Sequence, residues 1–349
     1  MAPDSNDLLA VPAARRPAIQ RLWSALSPGM TVGLSTHVNA DGDGCGSESA
    51  LARLLRSRDI RARIVNPTPW PSMFGFLLDE EVDERSDAGP AALRGIDALI
   101  VMDVSDIARL GALADPVRAM RVPTLVIDHH IASEEPAGSV VLADPTACAT
   151  GELVFDIARE IGLPIDRRVA VGLYTALLTD TGGFRFSNTT PRCHAIAGYL
   201  LSAGVDPEEM YRRVYASVPV GRLRMLREAL GTLEVDPAYG LAWLSIPADA
   251  MERHGLRSED LDGVVEHARS IEGTRLAIFF RDLGYGKVKV SFRSTGGVDV
   301  NRFARAFGGG GHARASGALI PGMLADVMPR VLEHARAFLA DRSPAAAPR

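Results

Sequence analysis

The sequence predicts an α/β protein: an N-terminal domain with a mainly parallel sheet flanked by helices, a helical connector, and a smaller C-terminal α/β domain. Short apolar runs at 30–34, 98–102 and 124–127 alternate with segments of helical periodicity. Wholly apolar runs of this length are typical of parallel strands that are buried on both faces. The 349 residues, 47% hydrophobic and 23% charged, are globular in composition and long enough for about two domains.

Composition also argues against several classes of function. The formal charge of −5, from 38 basic and 43 acidic residues, speaks against a large electrostatic footprint for duplex DNA, although short nucleotides stay open as ligands. Cys45, Cys148 and Cys193 form no C-x-x-C pair, which favours reduced thiols over disulfides. Neither a signal peptide nor an apolar run of membrane-spanning length is apparent. We therefore expect a soluble, cytoplasmic protein that does not engage a membrane.

The elements of the N-terminal half follow from local periodicity. Residues 1–16 are polar and are expected to be frayed. Helices are predicted at 17–27, directly after the turn 35–47, and at 151–161 and 168–179; strands are predicted at 30–34, 60–65, 98–102 and 124–127. Residues 190–235 are predicted to be all helical. We therefore expect a catalytic domain at 18–190 and a helical connector at 191–238.

The C-terminal half predicts a separate domain at 239–340. Its strands are expected at 241–246, 274–280, 287–292 and 318–320, and its helices at 259–271, 298–306 and 323–340. The tail from residue 343 is rich in proline and alanine and is expected to be disordered.

The turn 35–47 carries the first chemical signal. His37, Asp41 and Asp43 have the spacing H-x-x-x-D-x-D between a predicted strand and a predicted helix. Two acids two residues apart suit neighbouring metal ions, because each can face a different cation. Glycines 42, 44 and 46 are expected to let the backbone bend sharply and approach a ligand. The alternative is a surface turn that is merely rich in Asp and Gly.

Further acids and histidines follow the next two predicted strands. Asp103 ends one of them, and Asp128-His129-His130 ends the other. Ligands of open parallel sheets bind at the carboxyl ends of the strands, so these side chains are expected to meet those of the first turn. Asp180, at the end of the helix 168–179, is a further candidate ligand, and the alternative is a turn residue held by the glycines that follow it.

Carboxylates together with imidazoles select divalent metals such as Mn, Fe, Co or Zn over Ca. Unpaired carboxylates at one edge would repel each other, and two dications would relieve that repulsion. A pair of metal ions can hold a hydroxide and polarise a phosphoryl group for in-line attack. The first domain therefore predicts hydrolysis of a phosphate ester or anhydride. Cys45 has glycines rather than a base as neighbours, so we interpret it as a small filler and not a nucleophile.

A glycine tract at 308–311 is the second signal. Four consecutive glycines leave backbone N–H groups free to surround an anion, and the alternative is a flexible linker. Arginine suits phosphate because its planar fork donates two parallel hydrogen bonds. Positively charged and polar residues lie next to the tract and at the end of a preceding strand. The predicted substrate-binding residues are Arg293, Ser294, Gly309, Gly310, Gly311, His312 and Arg314.

These motifs, taken in order, resemble the DHH/DHHA1 phosphoesterase family over residues 18–340. The resemblance rests on His37-x-x-x-Asp41-x-Asp43, Asp103, Asp128-His129-His130, Asp180-Thr181-Gly182-Gly183-Phe184-Arg185, Arg293-Ser294 and 308–312. One departure is Asn39, where relatives often have proline, and it is expected to change the stiffness of the loop rather than metal ligation.

The resemblance implies two divalent metal ions, usually Mn²⁺, with Mg²⁺ or Co²⁺ as alternatives. One ion would be held by His37, Asp41 and Asp103, and the other by Asp43, Asp103, His129 and Asp180, so that Asp103 bridges them. Asp128 would orient the DHH turn, and His130 would face the scissile phosphate as an electrostatic stabiliser or proton donor. The C-terminal domain would close over the cleft, with Arg293, His312 and the glycine N–H groups holding the far phosphate or nucleoside.

Within this family the chain looks like the short nano-RNase/pAp phosphatase type. RecJ-type exonucleases carry an extra OB-like domain, family II pyrophosphatases lack the glycine tract, and membrane-bound cyclic-dinucleotide phosphodiesterases carry transmembrane segments. The resemblance thus implies a metal-dependent hydrolase of short oligoribonucleotides (nano-RNA) and of 3′-phosphoadenosine 5′-phosphate (pAp), plausibly a homodimer. The alternatives are a cyclic di-AMP or linear dinucleotide phosphodiesterase and a nucleotide-binding regulator without catalysis.

Overall fold

The computed structural model of the protein describes residues 5–104, 106–130, 135–256, 261, 263–311 and 313–340. The chain divides into two compact units, and the boundary lies between Ser217 and Val218. This boundary falls within the segment 191–238, which the sequence predicts as the connector. Among the described residues, no helix is both long enough and apolar enough to cross a bilayer.

The first unit contains both strands and helices. Its strands are β1 (Thr31–Ser35), β2 (Arg61–Ile64), β3 (Asp83–Glu84), β4 (Ala98–Met102), β5 (Thr124–Asp128) and β6 (Val140–Ala143). Its helices are α1 (Ser5–Leu9), α2 (Arg16–Ser24), α3 (Gly42–Arg56), α4 (Ala114–Arg118), α5 (Thr150–Ile161), α6 (Arg167–Asp180), α7 (Pro191–Ser202) and α8 (Pro207–Val214), with 3₁₀ segments at Ser72–Leu77, Ser86–Leu93 and Ile107–Leu113.

The six strands form one parallel sheet in the order β3-β2-β1-β4-β5-β6. The five residues of β4 are all buried, as the wholly apolar run predicts. The order of the strands reverses between β1 and β4, and in open sheets ligands bind in the crevice at the carboxyl ends beside such a point. The predicted parallel α/β architecture of this half is confirmed, and its sheet provides a crevice for a site.

Close packing between α3 and α6 brings two parts of that crevice together. A β-carbon added at Gly46 would lie 2.4 Å from the carbonyl oxygen of Gly172, and one at Gly42 would lie 2.3 Å from the side chain of Thr179. The glycines at 42, 44 and 46 lie inside α3 and have no positive φ. The expectation that they bend the backbone sharply is therefore wrong. Gly42 and Gly46 let α3 approach α6, and Gly44 lets it approach Thr36, whose hydroxyl oxygen would lie 2.7 Å from an added β-carbon.

Residues 5–16 are ordered, contrary to the expectation that residues 1–16 are frayed, while residues 1–4 lie outside the described residues. Within the described part of the chain, residues 5–9 are helical, Val11 is buried, and the Arg15 side chain is only 4% exposed. Arg15 forms ion pairs with Asp144, Glu152 and Asp156, each at 2.7 Å. Because a buried charge needs partners, this network ties the segment to the first unit. No periodicity in the sequence indicates it.

The second unit is built on a mixed six-stranded sheet. Its strands are β7 (Glu234–Asp236), β8 (Leu241–Ile246), β9 (Leu276–Asp282), β10 (Lys287–Ser294), β11 (Gly310–Gly311) and β12 (Ala315–Pro321), and its helices are α9 (Val220–Gly231), α10 (Ala250–His254), α11 (Val264–Arg269), α12 (Val300–Arg305) and α13 (Leu324–Ala340). The order is β11-β12-β10-β9-β8-β7, and only β8 and β9 pair in parallel. The predicted smaller α/β domain is confirmed.

Candidate metal centre

Carboxylates and imidazoles converge at the carboxyl edge of the parallel sheet. His37 follows β1, Asp103 follows β4, and the DHH turn begins at the last residue of β5. Further carboxylates come from the start of α3 and the end of α6. The structure brings together all the predicted metal ligands. Two groups, which share no residue, contain His37, Asp41 and Asp103, and Asp43, His129 and Asp180; a third group, Asp103, His129 and His130, overlaps both.

The first group contains His37, Asp41 and Asp103, whose candidate ligand atoms all lie within 4.8 Å of one another. Nε2 of His37 is 3.7 Å from Oδ2 of Asp41 and 3.5 Å from Oδ2 of Asp103. The other oxygen of Asp41 accepts the N–H groups of Asp43 and Gly44 and caps α3. The helix cap thus fixes the carboxylate, and one oxygen is left to face the histidine.

The second group contains Asp43, His129 and Asp180. Nε2 of His129 lies 3.6 Å from Oδ2 of Asp43 and 3.7 Å from Oδ2 of Asp180. Its Nδ1 faces the carbonyl oxygen of Ala147 at 3.3 Å, a contact that would direct Nε2 to a metal. Nε2 is buried and has no hydrogen-bond partner among the described residues.

Asp103 faces both groups. Its Oδ2 lies 3.5 Å from Nε2 of His37, and its Oδ1 lies 3.6 Å from Nε2 of His129. Its backbone has φ of 59°, in the left-handed region that few residues other than glycine adopt. Strained positions of this kind cluster at functional sites. This geometry suits a carboxylate that serves two neighbouring sites.

Several hydrogen bonds hold these carboxylates in place, and the sequence does not predict them. The N–H groups of Thr150 and Gly151, at the start of α5, donate to the two oxygens of Asp43 at 2.7 and 3.0 Å, and the Thr150 hydroxyl donates to Asp103 at 3.0 Å. Asn188 donates to Asp180 at 2.9 Å. Thr150 lies 107 residues from Asp43 in the chain, so spacing offers no signal, although a Thr-Gly helix start is a recognisable place for a bound carboxylate.

Negative charges are crowded together in these groups of side chains. Burial, together with the charges of Asp103, Asp180 and Asp41, raises the pKa of Asp43 well above its usual range. Burial also raises the pKa of Asp180 to about 6, against the opposing charge of His129. Although burial lowers the pKa of His37, its contacts with Asp103 and Asp41 outweigh that effect and raise it to about 10.

The residues present fit divalent metal ions. A buried imidazole nitrogen without a hydrogen-bond partner among the described residues faces three carboxylates, and such nitrogen and oxygen donors suit first-row divalent metals. A cation would also relieve the mutual repulsion of the buried carboxylates.

The DHH turn contributes one further imidazole. His130 is 37% exposed, and its Nδ1 lies 2.7 Å from Oδ1 of the fully buried Asp128 and 3.7 Å from Oδ1 of Asp103. The N–H of His130 also donates to Asp128 at 3.1 Å. The hydrogen bond to Asp128 raises the pKa of His130 although burial opposes it. Asp128 thus orients an exposed imidazole at the edge of the cluster.

The predicted substrate-binding residues all lie in the second unit. Arg293 donates to Glu266 at 3.0 Å, and the Ser294 hydroxyl is buried and donates to the Val298 carbonyl at 2.6 Å. The N–H of Gly309 donates to the Ala304 carbonyl and is engaged within the fold. Gly310 and Gly311 are exposed and pair with β12, which excludes a flexible linker at these two residues. Arg314 is exposed, and His312 lies outside the described residues.

Asn39 changes the backbone geometry of its turn, and not only the stiffness of the loop. Its φ is 57°, and its N–H donates to the Thr68 hydroxyl at 2.9 Å. Proline can adopt neither feature, because its ring fixes φ near about −65° and removes the N–H. The backbone of this turn therefore differs from that of a turn with proline at the same position.

Glu48 lies buried in α3, next to the metal-binding turn. Its Oε2 accepts a hydrogen bond from Asn66 at 2.9 Å, and Asn66 in turn accepts the N–H of Thr36. Burial raises the pKa of Glu48 to about 8, although the bond from Asn66 lowers it. Sequence reasoning missed this residue.

We predict that Glu48 makes the metal-free protein less stable as the pH rises. The pKa of this acid is higher in the folded state, so the folded state binds a proton that the unfolded chain releases. The stability that this proton provides is complete below pH 4.5 and is lost as the pH rises towards 8. Urea unfolding in EDTA at about pH 5 and about pH 8.5 measures the loss. The Glu48→Gln variant should lose less stability between these pH values than the wild type, and Glu80→Gln, at an exposed residue, should lose as much as the wild type. Equal losses in the wild type and in Glu48→Gln would show that Glu48 does not cause the pH dependence.

Comparison with known proteins gives two family matches. Residues 31–177 match the model of the DHH family N-terminal domain, and residues 243–341 match the DHHA1 domain. The chain is 34% identical over 309 residues to the bifunctional oligoribonuclease and PAP phosphatase NrnA of Thermus thermophilus, covering 87% of this chain and 88% of that protein. It is 29% identical to the protein of the same name from Bacillus subtilis, covering 83% and 89% of the two chains.

Solved structures share the fold. An exopolyphosphatase-related protein from Bacteroides fragilis superposes with a TM-score of 0.85 at 26% identity, covering 93% of this chain and 98% of that chain. RecJ from Thermus thermophilus, solved with Mn²⁺, superposes with a TM-score of 0.55 at 18% identity, covering 96% of this chain and 56% of that chain. The second likeness concerns the fold alone.

Proposed function

This chain belongs to the DHH family and carries a C-terminal DHHA1 domain, and on that premise we propose that it hydrolyses short oligoribonucleotides and pAp. One observation carries the proposal: at the carboxyl edge of a parallel sheet, Asp103 lies between two groups of candidate metal ligands and contacts a histidine of each. The 34% identity to the NrnA of Thermus thermophilus, over most of both chains, supports this choice of substrates.

We further propose that the cofactor is a pair of Mn²⁺ ions. His37, Asp41 and Asp103 would hold one ion, and Asp43, Asp103, His129 and Asp180 would hold the other. When bound, such a pair supplies a hydroxide nucleophile and polarises the phosphoryl group. The donor set supports a first-row divalent metal, and Mg²⁺ or Co²⁺ are the alternatives.

The chain's own residues would then orient and protonate the substrate. Asp128 holds Nδ1 of His130, so Nε2 is left to face the substrate. A protonated His130 would stabilise the negative charge that develops on the phosphoryl oxygens, or donate a proton to the leaving oxygen. Thr150 and Gly151 hold Asp43 in place through their N–H groups, so the carboxylate needs no rearrangement during turnover.

In the second unit, we propose that Arg293, Ser294, Gly309, Gly310, Gly311, His312 and Arg314 form the site for the far phosphate or nucleoside. The exposed Arg314 and the exposed glycines at 310 and 311 support this. Arg293 would take part once a phosphate competes with Glu266 for its guanidinium. Three buried free cysteines agree with a reducing, cytoplasmic setting, and the homodimer remains a prediction.

The proposal is tested by comparing four substrates at equal concentration with Mn²⁺: pAp, a 5′-phosphorylated RNA dinucleotide, an RNA 24-mer and cyclic di-AMP. We expect rapid hydrolysis of pAp and of the dinucleotide, with the 24-mer spared. Preference for cyclic di-AMP would instead make the protein a cyclic-dinucleotide phosphodiesterase. Binding of pAp without turnover of any compound would indicate a nucleotide-binding regulator.

A further inference from the structure

The loop that follows the candidate ligand Asp180 carries an exposed aromatic ring. Phe186 is 53% exposed. Its ring lies against the α-carbon of Gly182, where an added β-carbon would come within 2.4 Å of it. The N–H groups of Arg185 and Phe186 both donate to the carbonyl oxygen of Thr181, at 2.9 and 3.0 Å. A large apolar side chain is therefore held in solvent by a compact turn, and it contributes little to the core.

The same loop is tied directly to the candidate metal centre at both ends. It begins at Asp180, and Asn188 returns to donate to Oδ2 of Asp180 at 2.9 Å and to its carbonyl oxygen at 3.2 Å. The N–H of Thr189 donates to the carbonyl oxygen of Phe186 at 3.1 Å. These bonds fix Phe186 between the proposed metal ligand Asp180 and Asn188, which donates to that ligand.

Arg185, the neighbour of Phe186 in the chain, also contacts Gly182. Its Nε donates to the Gly182 carbonyl oxygen at 2.6 Å. Its two terminal nitrogens make no hydrogen bond or ion pair with any residue in the described part of the chain, and the side chain is exposed. One nitrogen thus anchors the group, and the terminal nitrogens are left for a ligand.

Tyr215 lies close to this part of the loop, and Tyr211 lies next to Tyr215. A β-carbon at Gly183 would lie 3.8 Å from the ring of Tyr215 and 3.9 Å from Nε of Arg185. The Tyr215 hydroxyl donates to the Leu178 carbonyl oxygen at 2.9 Å, which fixes its ring. The ring of Tyr211 lies 5.6 Å from that of Tyr215 and is 57% exposed. We call Phe186, Arg185, Tyr215 and Tyr211 the aromatic strip.

We propose that the aromatic strip stacks the nucleobases of the substrate in the first unit, beside the metal centre. This inference rests on the proposed function and names the part of the substrate that the strip recognises. Exposed aromatic rings interleaved with arginine are how proteins hold single-stranded bases without strong sequence preference, since every base has a π-face. The anchored guanidinium suits a phosphate or a stacked base. A strip of this short length also suits oligomers of a few nucleotides.

Phe186→Ala tests the proposal, because the exposed ring can be removed without opening the core. The probe is a 5′-phosphorylated dinucleotide that contains 2-aminopurine and a non-hydrolysable methylenephosphonate linkage, with the Mn²⁺-loaded protein. Stacking quenches the fluorescence of 2-aminopurine. We expect quenching in the wild type, loss of quenching in Phe186→Ala, and an increase in Kd of about tenfold, in the range of a single base–aromatic stack. Phe186→Trp should restore both.

Two controls separate stacking from other effects. The fully exposed Tyr285→Ala, in the second unit, should leave Kd and quenching unchanged. An abasic dinucleotide should bind wild type and Phe186→Ala equally, because it has no base to stack. If the wild type hydrolyses the natural dinucleotide, and Phe186→Ala binds the probe with the same Kd and the same quenching as the wild type, the aromatic strip does not stack the bases. The proposed function would still stand. Failure of the wild type to bind or hydrolyse any dinucleotide would overturn both.

Discussion

Asp103→Asn is expected to lower kcat for the RNA dinucleotide by at least about a hundredfold. Loss of a residue that merely orients a metal ligand already costs up to about a hundredfold in metal affinity or activity. Asp103 faces His37 with one oxygen and His129 with the other, so its replacement weakens both proposed sites together. Asparagine tolerates the left-handed backbone at this position, so the change removes the charge without distorting the turn.

The matched control is Asp115→Asn, a carboxylate that is 93% exposed in α4. It should leave kcat unchanged. Thermal unfolding of the metal-free Asp103→Asn protein should give a midpoint no lower than that of the wild type, because the change removes repulsion among buried carboxylates. If Asp103→Asn keeps more than about a tenth of wild-type kcat, a loss of under about 1.4 kcal/mol in barrier, Asp103 does not bridge.

Arg15→Ala is expected to lower the free energy of unfolding of the first unit by about 3–5 kcal/mol, the usual effect of removing one partner of a buried ion pair. Arg15 is 4% exposed, and its loss would leave Glu152 and Asp156 buried with Arg192 as their remaining ion-pair partner among the described residues. Urea unfolding followed by tryptophan fluorescence measures the effect, since Trp23 and Trp70 both belong to the first unit.

Arg16→Ala provides an internal control for this prediction. Arg16 is the next residue in the chain, but its side chain is 53% exposed and lies 3.6 Å from Glu160. Exposed pairs of this kind contribute about 1 kcal/mol or less. Equal unfolding free energies for Arg15→Ala and Arg16→Ala would show that the buried network does not stabilise the first unit.

The parallel sheet could be predicted because its central strands have a distinctive composition. The run 98–102 is apolar throughout, which only burial on both faces favours, and the acids that end such runs must meet at one edge. That argument groups His37, Asp103 and His129 from their positions in the sequence alone. The two-residue strand β3, Asp83–Glu84, carries no comparable pattern. The strand β6 was not predicted, although Val140–Ala143 is apolar throughout.

What could not be predicted depends on contacts between distant segments. The burial of Arg15 requires Asp144, Glu152 and Asp156, which lie 129 to 141 residues away. The glycines at the start of α3 look like those of a ligand-binding turn, and only the approach of Thr36, Gly172 and Thr179 shows that they serve close packing against neighbouring segments. Thr150 and Asn188 hold candidate metal ligands through ordinary hydrogen bonds. The Thr-Gly helix start is a weak signal for Thr150, and no pattern in the sequence marks Asn188.

The most direct test of the central claim is the hydrolysis of the 5′-phosphorylated RNA dinucleotide by metal-stripped protein as Mn²⁺ is added back. We predict no hydrolysis in EDTA and full activity once two Mn²⁺ ions are bound per chain, because Asp103 contacts a histidine of each of the two ligand groups. Hydrolysis that persists in EDTA, or an absence of hydrolysis with two ions bound, would contradict a two-metal oligoribonuclease.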